Sequence, residues 1–140
     1  MVVCAAPAYI RASGQPHRPE GLAQHNCLIF SEIVHRGHGM WQFGVGDQQR
    51  SVRVAGDLVS NLSDALRIAA LAGRGIVRLP SYMVEEDIRQ GALQPVLTEF
   101  DPQLRPIYAV YPHCEFLASK VQVRTFVDYL ITAFARSSVK

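Results

Sequence analysis

Short apolar runs alternate along this chain with segments of helical period, and that alternation limits the fold more than any other feature. Val2-Val3-Cys4-Ala5-Ala6 stops at Pro7, Cys27-Leu28-Ile29-Phe30 follows a turn-rich stretch, and Ile76-Val77-Arg78-Leu79 stops at Pro80. Runs this short and this apolar suit strands buried on both faces of a sheet. Between them, Leu62, Ala65, Leu66, Ala69 and Ala70 repeat at three and four, so a helix is predicted over residues 62–71. Asn61 or Ser63 would supply its N-cap oxygen, Asp64 suits the first turn, and Gly73 and Gly75 end it. Ser81 is expected to cap a second helix that runs through Glu85, Glu86 and Asp87 to a stop at Gly91. A short helix over residues 8–12 closes at Ser13-Gly14.

Two further segments alternate as half-buried strands do. Trp41 to Val45 and Ser51 to Val54 flank Gly46-Asp47, which predicts a hairpin, with His35 to Gly39 read as the loop before it. Leu93 to Phe100 reads as an extended edge broken by Pro95, and Ile107 to Tyr111 as a strand between Pro106 and Pro112. The tail from Glu115 to Phe134 carries Leu117, Val121, Phe126, Leu130 and Phe134 near one stripe, as an amphipathic helix would. Strands alternating with helices predict an open α/β sandwich.

Composition narrows what such a domain can do. With 140 residues, 49% hydrophobic and 19% charged, the chain suits one globular domain. Its longest uncharged apolar run, Ile68 to Gly73, is too short to cross a bilayer, and Met1 to Ile10 meets Pro7 too soon for a signal peptide. No membrane association is expected. The net charge of +2 comes from interspersed residues without a basic block, so the chain lacks the footprint of a nucleic-acid grip. Cys4, Cys27 and Cys114 form no zinc spacing with His17, His25, His35, His38 or His113. No metal or cofactor is expected, and a reduced, cytoplasmic compartment fits unpaired thiols.

The candidate motifs divide clearly. Gly73-Arg74-Gly75 follows a helix and precedes a strand, the reverse of a phosphate loop, so it reads as a helix-ending turn. Asn61-Leu62-Ser63-Asp64 opens a helix and is either an ordinary cap or an amide cradle for a small anion. Ser31 and Glu32 end an apolar strand, where open α/β sheets hold ligands. His35 and His38 lack a third ligand at suitable spacing, and Glu85-Glu86-Asp87 reads as a solvated face. No nucleophile and base can be assembled, so an enzyme is not expected.

In order and spacing, several segments together resemble the effector-binding domain of LysR-type transcriptional regulators. They are Cys4-Ala5-Ala6-Pro7-Ala8-Tyr9-Ile10, Gly14-x-Pro16, Pro19-Glu20-Gly21-Leu22-x-x-His25-x-Cys27-Leu28, Val54-x-Gly56 and Asn61-x-x-Asp64-Ala65-Leu66. Ala70-x-x-Gly73-x-Gly75-Ile76, Leu79-Pro80, Gly91-x-Leu93, the run from Pro106 to Pro112 and the closing helix around Arg124 to Leu130 complete the set.

The resemblance implies a lobe like those of type 2 periplasmic binding proteins, an open mixed sheet with flanking helices, and an effector held between two lobes. Residues 7–102 would be the second lobe, while 1–6 and 103–140 would be the hinge and a remnant of the first lobe. The family's helix-turn-helix domain and the opening half of the first lobe have no counterpart here, so DNA would be reached only through that absent domain. Carried over by position, the effector-facing candidates are Ala6, Pro7, Phe30, Ser31, Asn61, Leu62, Ser63, Pro80, Ile107 and Tyr108. At Ala6 the family commonly shows a serine, so one hydroxyl is lost. Family habit points to a small organic effector, a carboxylate or aromatic acid, and the apolar last helix points to self-association through the first-lobe remnant. The alternative is a stand-alone binding module without DNA output.

Overall fold

Short, mostly apolar runs become the middle of a sheet. A computed structural model describes residues 1–31, 38–44, 49–100 and 125–133. In chain order the elements are β1 (Val2–Ala5), α1 (Pro7–Ser13), a 3-10 turn (Pro19–Gln24), β2 (Cys27–Phe30), β3 (His38–Phe43) and β4 (Arg50–Ala55). They continue with β5 (Val59–Ser60), α2 (Ser63–Leu71), β6 (Ile76–Leu79), α3 (Ser81–Arg89) and β7 (Gln94–Pro95). Five strands form one sheet in the order β5-β2-β6-β1-β7, and β3 pairs with β4 as a separate antiparallel ribbon. β2 runs parallel to β5 and β6, whereas β1 is antiparallel to both β6 and β7. The sheet is mixed, with β1 the reversed strand.

Both faces of this sheet are covered, which is why β2 carries apolar side chains at each position. Val3, Ala5, Cys27, Ile29 and Ile76 face the hairpin residues Trp41, Phe43, Val52 and Val54, joined by Tyr9 and Leu22. On the other face Cys4, Leu28, Val77 and Leu79 meet Leu66 and Ala70 of α2 and Val84 of α3. Arg78 interrupts the apolar run of β6 without breaking the layer, because its guanidinium lies over the Phe43 ring at 5.1 Å. Gly73 and Gly91, each at φ 72°, end α2 and α3 in the left-handed conformation that glycine adopts without a Cβ clash.

The structure departs from the sequence expectations at several places. His38 and Gly39 belong to β3, where a side chain at Gly39 would crowd Ile29, so glycine admits the ribbon onto the sheet. Neither Asn61 nor Ser63 caps α2; Leu62 is its N-cap without a side-chain bond, and the Ser60 hydroxyl accepts the Leu62 N–H instead at 3.0 Å. Likewise Ser81 is the first residue of α3 rather than its cap, and Pro80 holds the N-cap position. The expected extended edge shrinks to Gln94–Pro95, because Leu97 turns the chain at φ 57°. Glu32, His35, the Gly46-Asp47 turn, Cys114, His113 and the strand from Ile107 to Tyr111 lie outside the described residues.

The chain divides into two compact units, Met1–Arg105 and Pro106–Lys140. Within the second, residues 125–133 are helical, and Phe126, Tyr129 and Ile131 are exposed.

Candidate functional site

Strand register decides which candidate residues can share a ligand. Leu28 pairs with Val77 and Phe30 with Ser60, so Ser31, Asn61 and Pro80 follow at one level just past the carboxyl ends of β2, β5 and β6. Because β1 is antiparallel, with Val2 opposite Leu79 and Ala5 opposite Ile76, its first residues lie at this same edge. Ala6 and Pro7 therefore sit at the opposite, amino edge, level with Gly75. That is about 16 Å from Pro80 at 3.3 Å per residue. The structure brings Phe30, Ser31, Asn61, Leu62, Ser63 and Pro80 together on one edge and does not bring Ala6 or Pro7 there. Ile107 and Tyr108 lie outside the described residues.

The carboxyl edge is apolar and hydroxylic. Phe30 is 48% exposed, Leu62 64% and Tyr82 79%, while Ser31, Ser60, Ser63 and Ser81 bring hydroxyls. The Ser31 N–H donates to the Ser60 carbonyl at 3.1 Å, which sews β2 to β5 at this rim. Both α2 and α3 begin here without a side-chain cap, and in α3 the Met83 N–H donates back to the Pro80 carbonyl at 3.1 Å. Asp64 holds the single formal charge among residues 30–31, 60–64 and 80–82. Such an edge can hold a small molecule by apolar contact and neutral hydrogen bonds, with amide dipoles favouring a partial negative charge. Sequence reasoning missed Met1, Ser60, Ser81 and Tyr82, whose place follows from the β1 direction and the helix starts.

At the amino edge the polar groups are consumed by one another. Asn26 Nδ2 donates to Asp57 Oδ1 and to the Arg74 carbonyl, each at 2.7 Å, and Asn26 Oδ1 accepts the Asp57 N–H at 2.9 Å. Arg74 Nη2 closes the ring by donating to Asp57 Oδ2 at 3.1 Å. The Asn26 amide and the Arg74 guanidinium together hold the Asp57 carboxyl below its usual range. The backbone N–H of Asn26 donates to the Tyr9 hydroxyl at 3.0 Å, and that hydroxyl lies 3.3 Å from His25 Nδ1. Burial lowers the His25 pKa, keeping the ring neutral. A Cβ at Gly56 would overlap the Cys27 carbonyl oxygen, and one at Gly75 the Asn26 carbonyl oxygen, so both positions admit only glycine. Among the described residues of this edge, Asn26, Asp57 and Arg74 are thus paired with one another.

Asp87 corrects the reading of Glu85-Glu86-Asp87 as a solvated face. Asp87 is buried, and its carboxylate accepts from Arg67 Nε and Nη2, both at 2.6 Å. Cys4 and Cys27 are free thiols on opposite faces of the sheet, and burial pushes each up to about 12. The thiolate is the reactive form, so neither is a nucleophile at neutral pH.

Comparison with known proteins adds the lineage. The LysR substrate binding domain model matches residues 1–135. The transcriptional activator TtdR of Escherichia coli (strain K12) is 35% identical over 129 residues, covering 92% of this chain and 40% of that protein. The chain thus spans about two-fifths of the length of such curated relatives. Among solved structures, the regulatory domain of CrgA from Neisseria meningitidis is 31% identical with a TM-score of 0.63, covering 74% of this chain and 49% of that one. The regulatory domain of AphB from Vibrio vulnificus, treated with cumene hydroperoxide, is 27% identical with a TM-score of 0.70, covering 94% and 64%. These regulatory domains share the periplasmic-binding-protein-like fold, and the open mixed sheet matches it.

Proposed function

Since the chain belongs to the LysR substrate-binding domain family, we propose that it is the effector-sensing part of a transcriptional regulator. A small organic effector, a carboxylate or aromatic acid, is held against the carboxyl edge of the sheet by Phe30, Ser31, Asn61, Leu62, Ser63 and Pro80. In this reading residues 7–102 form the second lobe, and β1 is the strand through which the chain enters it. The observation that carries the reading is the row of Ser31, Asn61 and Pro80 at one level beyond three parallel strands. Open α/β sheets bind ligands there.

An effector that binds one arrangement of lobes more tightly shifts the population toward it by its differential affinity. The output would pass to DNA through a DNA-binding domain outside this chain. Chemistry on the effector is not part of this role, and the cytoplasm, where a transcriptional regulator meets DNA, is its place. No described helix is long and apolar enough to cross a membrane.

Titration calorimetry with benzoate and succinate tests the wall. Ser31→Ala and Asn61→Ala should each weaken binding roughly tenfold, the loss of one or two hydrogen bonds, while Pro7→Ala at the far edge leaves it unchanged. Equal affinity in all three variants overturns the assignment. Self-association through the helix over residues 125–133 is a second part of the proposal, resting on exposed Phe126, Tyr129 and Ile131. Light scattering should show dimers or larger species, reduced by Phe126→Ser; a monomer at all concentrations rejects it.

A further inference from the structure

One buried carboxylate ties together several pieces of the face that carries α2 and α3. The Asp87 side chain is 9% exposed and takes both forks of Arg67, while its main-chain oxygen accepts the N–H groups of Ala92 at 2.8 Å and Leu93 at 3.1 Å. Those two residues lead into β7, which pairs with β1. Arg67 lies four residues into α2 and Asp87 six residues into α3, so the pair sits about 6 Å and about 9 Å below the two helix starts at 1.5 Å per residue. Those starts are the two lips of the carboxyl edge.

A planar guanidinium meeting a carboxylate through two N–H groups fixes an angle as well as a distance. The Arg67 side chain is 32% exposed, so the pair is only partly buried, and such pairs add little net stability. We propose that the Arg67–Asp87 pair is a strut that positions the effector-facing lips, holding the amino ends of α2 and α3 at one spacing. This rests on the carboxyl edge being the effector wall. Neither residue touches the effector; each is a positioning residue acting through the helix it anchors. The two main-chain bonds at Asp87 carry the same constraint into the turn before β7.

Amide hydrogen exchange on the 140-residue chain tests the strut directly, with wild type, Arg67→Gln and Arg67→Lys compared. In Arg67→Gln the amides of Met83, Ala92 and Leu93 should exchange roughly tenfold faster, while Leu28 and Val77 in the central strands change little. Lysine, a point charge without the fork, should leave the acceleration in place. Uniform acceleration of every amide would make the pair a general stabiliser, and unchanged rates would make it idle; either overturns the proposal. Full protection restored by lysine overturns it too, since a fixed angle would then be unnecessary. Benzoate serves as the ligand probe in parallel. If the Ser31 and Asn61 amides of wild type ignore benzoate while the local acceleration is seen, the effector wall fails and the strut between helices stands. If they respond identically in wild type and Arg67→Gln, the wall stands and the positioning role fails.

Discussion

Asn26, at the amino edge of the sheet, spends its backbone N–H, its carbonyl and both ends of its side-chain amide on Tyr9, Ile76, Asp57 and Arg74. At the carboxyl edge of the same strands, Phe30, Leu62 and Tyr82 stand largely in solvent and two helices start without caps. One end of the sheet is closed by mutual satisfaction and the other is left open. A buried or half-buried polar group costs free energy unless paired, so the closed end stabilises the fold. The open end leaves its apolar side chains exposed and its helix starts without side-chain caps. Many of the residues behind the family resemblance, among them His25, Cys27, Gly56 and Gly75, lie at the closed end and serve structure.

The largest effect that would break this contrast is expected at Gly56. Gly56→Ala forces a methyl group into the Cys27 carbonyl oxygen and should cost about 3 kcal/mol, read from the urea midpoint. An unchanged midpoint would show that the amino edge is loose. Asn26→Ala comes next. It removes the bonds to the Asp57 N–H and the Arg74 carbonyl, both on exposed residues that water reaches, and should cost about 1 kcal/mol by the same measurement.

A smaller effect follows from His25. Its folded pKa is lowered, so the unfolded chain binds the proton more readily. The stability it contributes is complete above about pH 6.5 and is lost as the pH falls from there through the lower folded value. Thermal melts between pH 7.5 and 5 should show that slope in wild type and a flatter one in His25→Asn; equal slopes would show that His25 contributes nothing to the amino edge. Smallest of all are the stability changes at the open edge. Phe30→Ala and Asn61→Ala should each shift stability by no more than about 0.5 kcal/mol, as exposed substitutions do. A loss as large as that at Asn26 would mean that the carboxyl edge is structural too.

Much of the architecture was legible in the residues. The bounds of β2 and β6 follow from apolar runs ended by a polar residue or proline, and α2 follows from a three-four repeat ended at Gly73. The hairpin strands were legible because Trp41, Phe43, Val52 and Val54 alternate with polar residues along a ribbon covered on one side. Less legible were the caps. Serine and asparagine before a helix favour capping in general, but here Ser60 bonds the Leu62 N–H two residues on and leaves the helix start open. The burial of Asp87 was invisible for a similar reason, since its partner Arg67 is twenty residues away on another helix.

By itself, then, the sequence determined the element types, most of their bounds, and a family of sensing domains. Direction is what the tertiary structure decided. A run of apolar residues reads the same forward and backward along a strand, so nothing in Val2 to Ala5 says that β1 runs against its neighbours. That reversal places Ala6 and Pro7 at the closed edge and Met1 at the open one. Which residues can meet around a ligand depends on pairing between distant strands, and pairing is settled only when the layers pack.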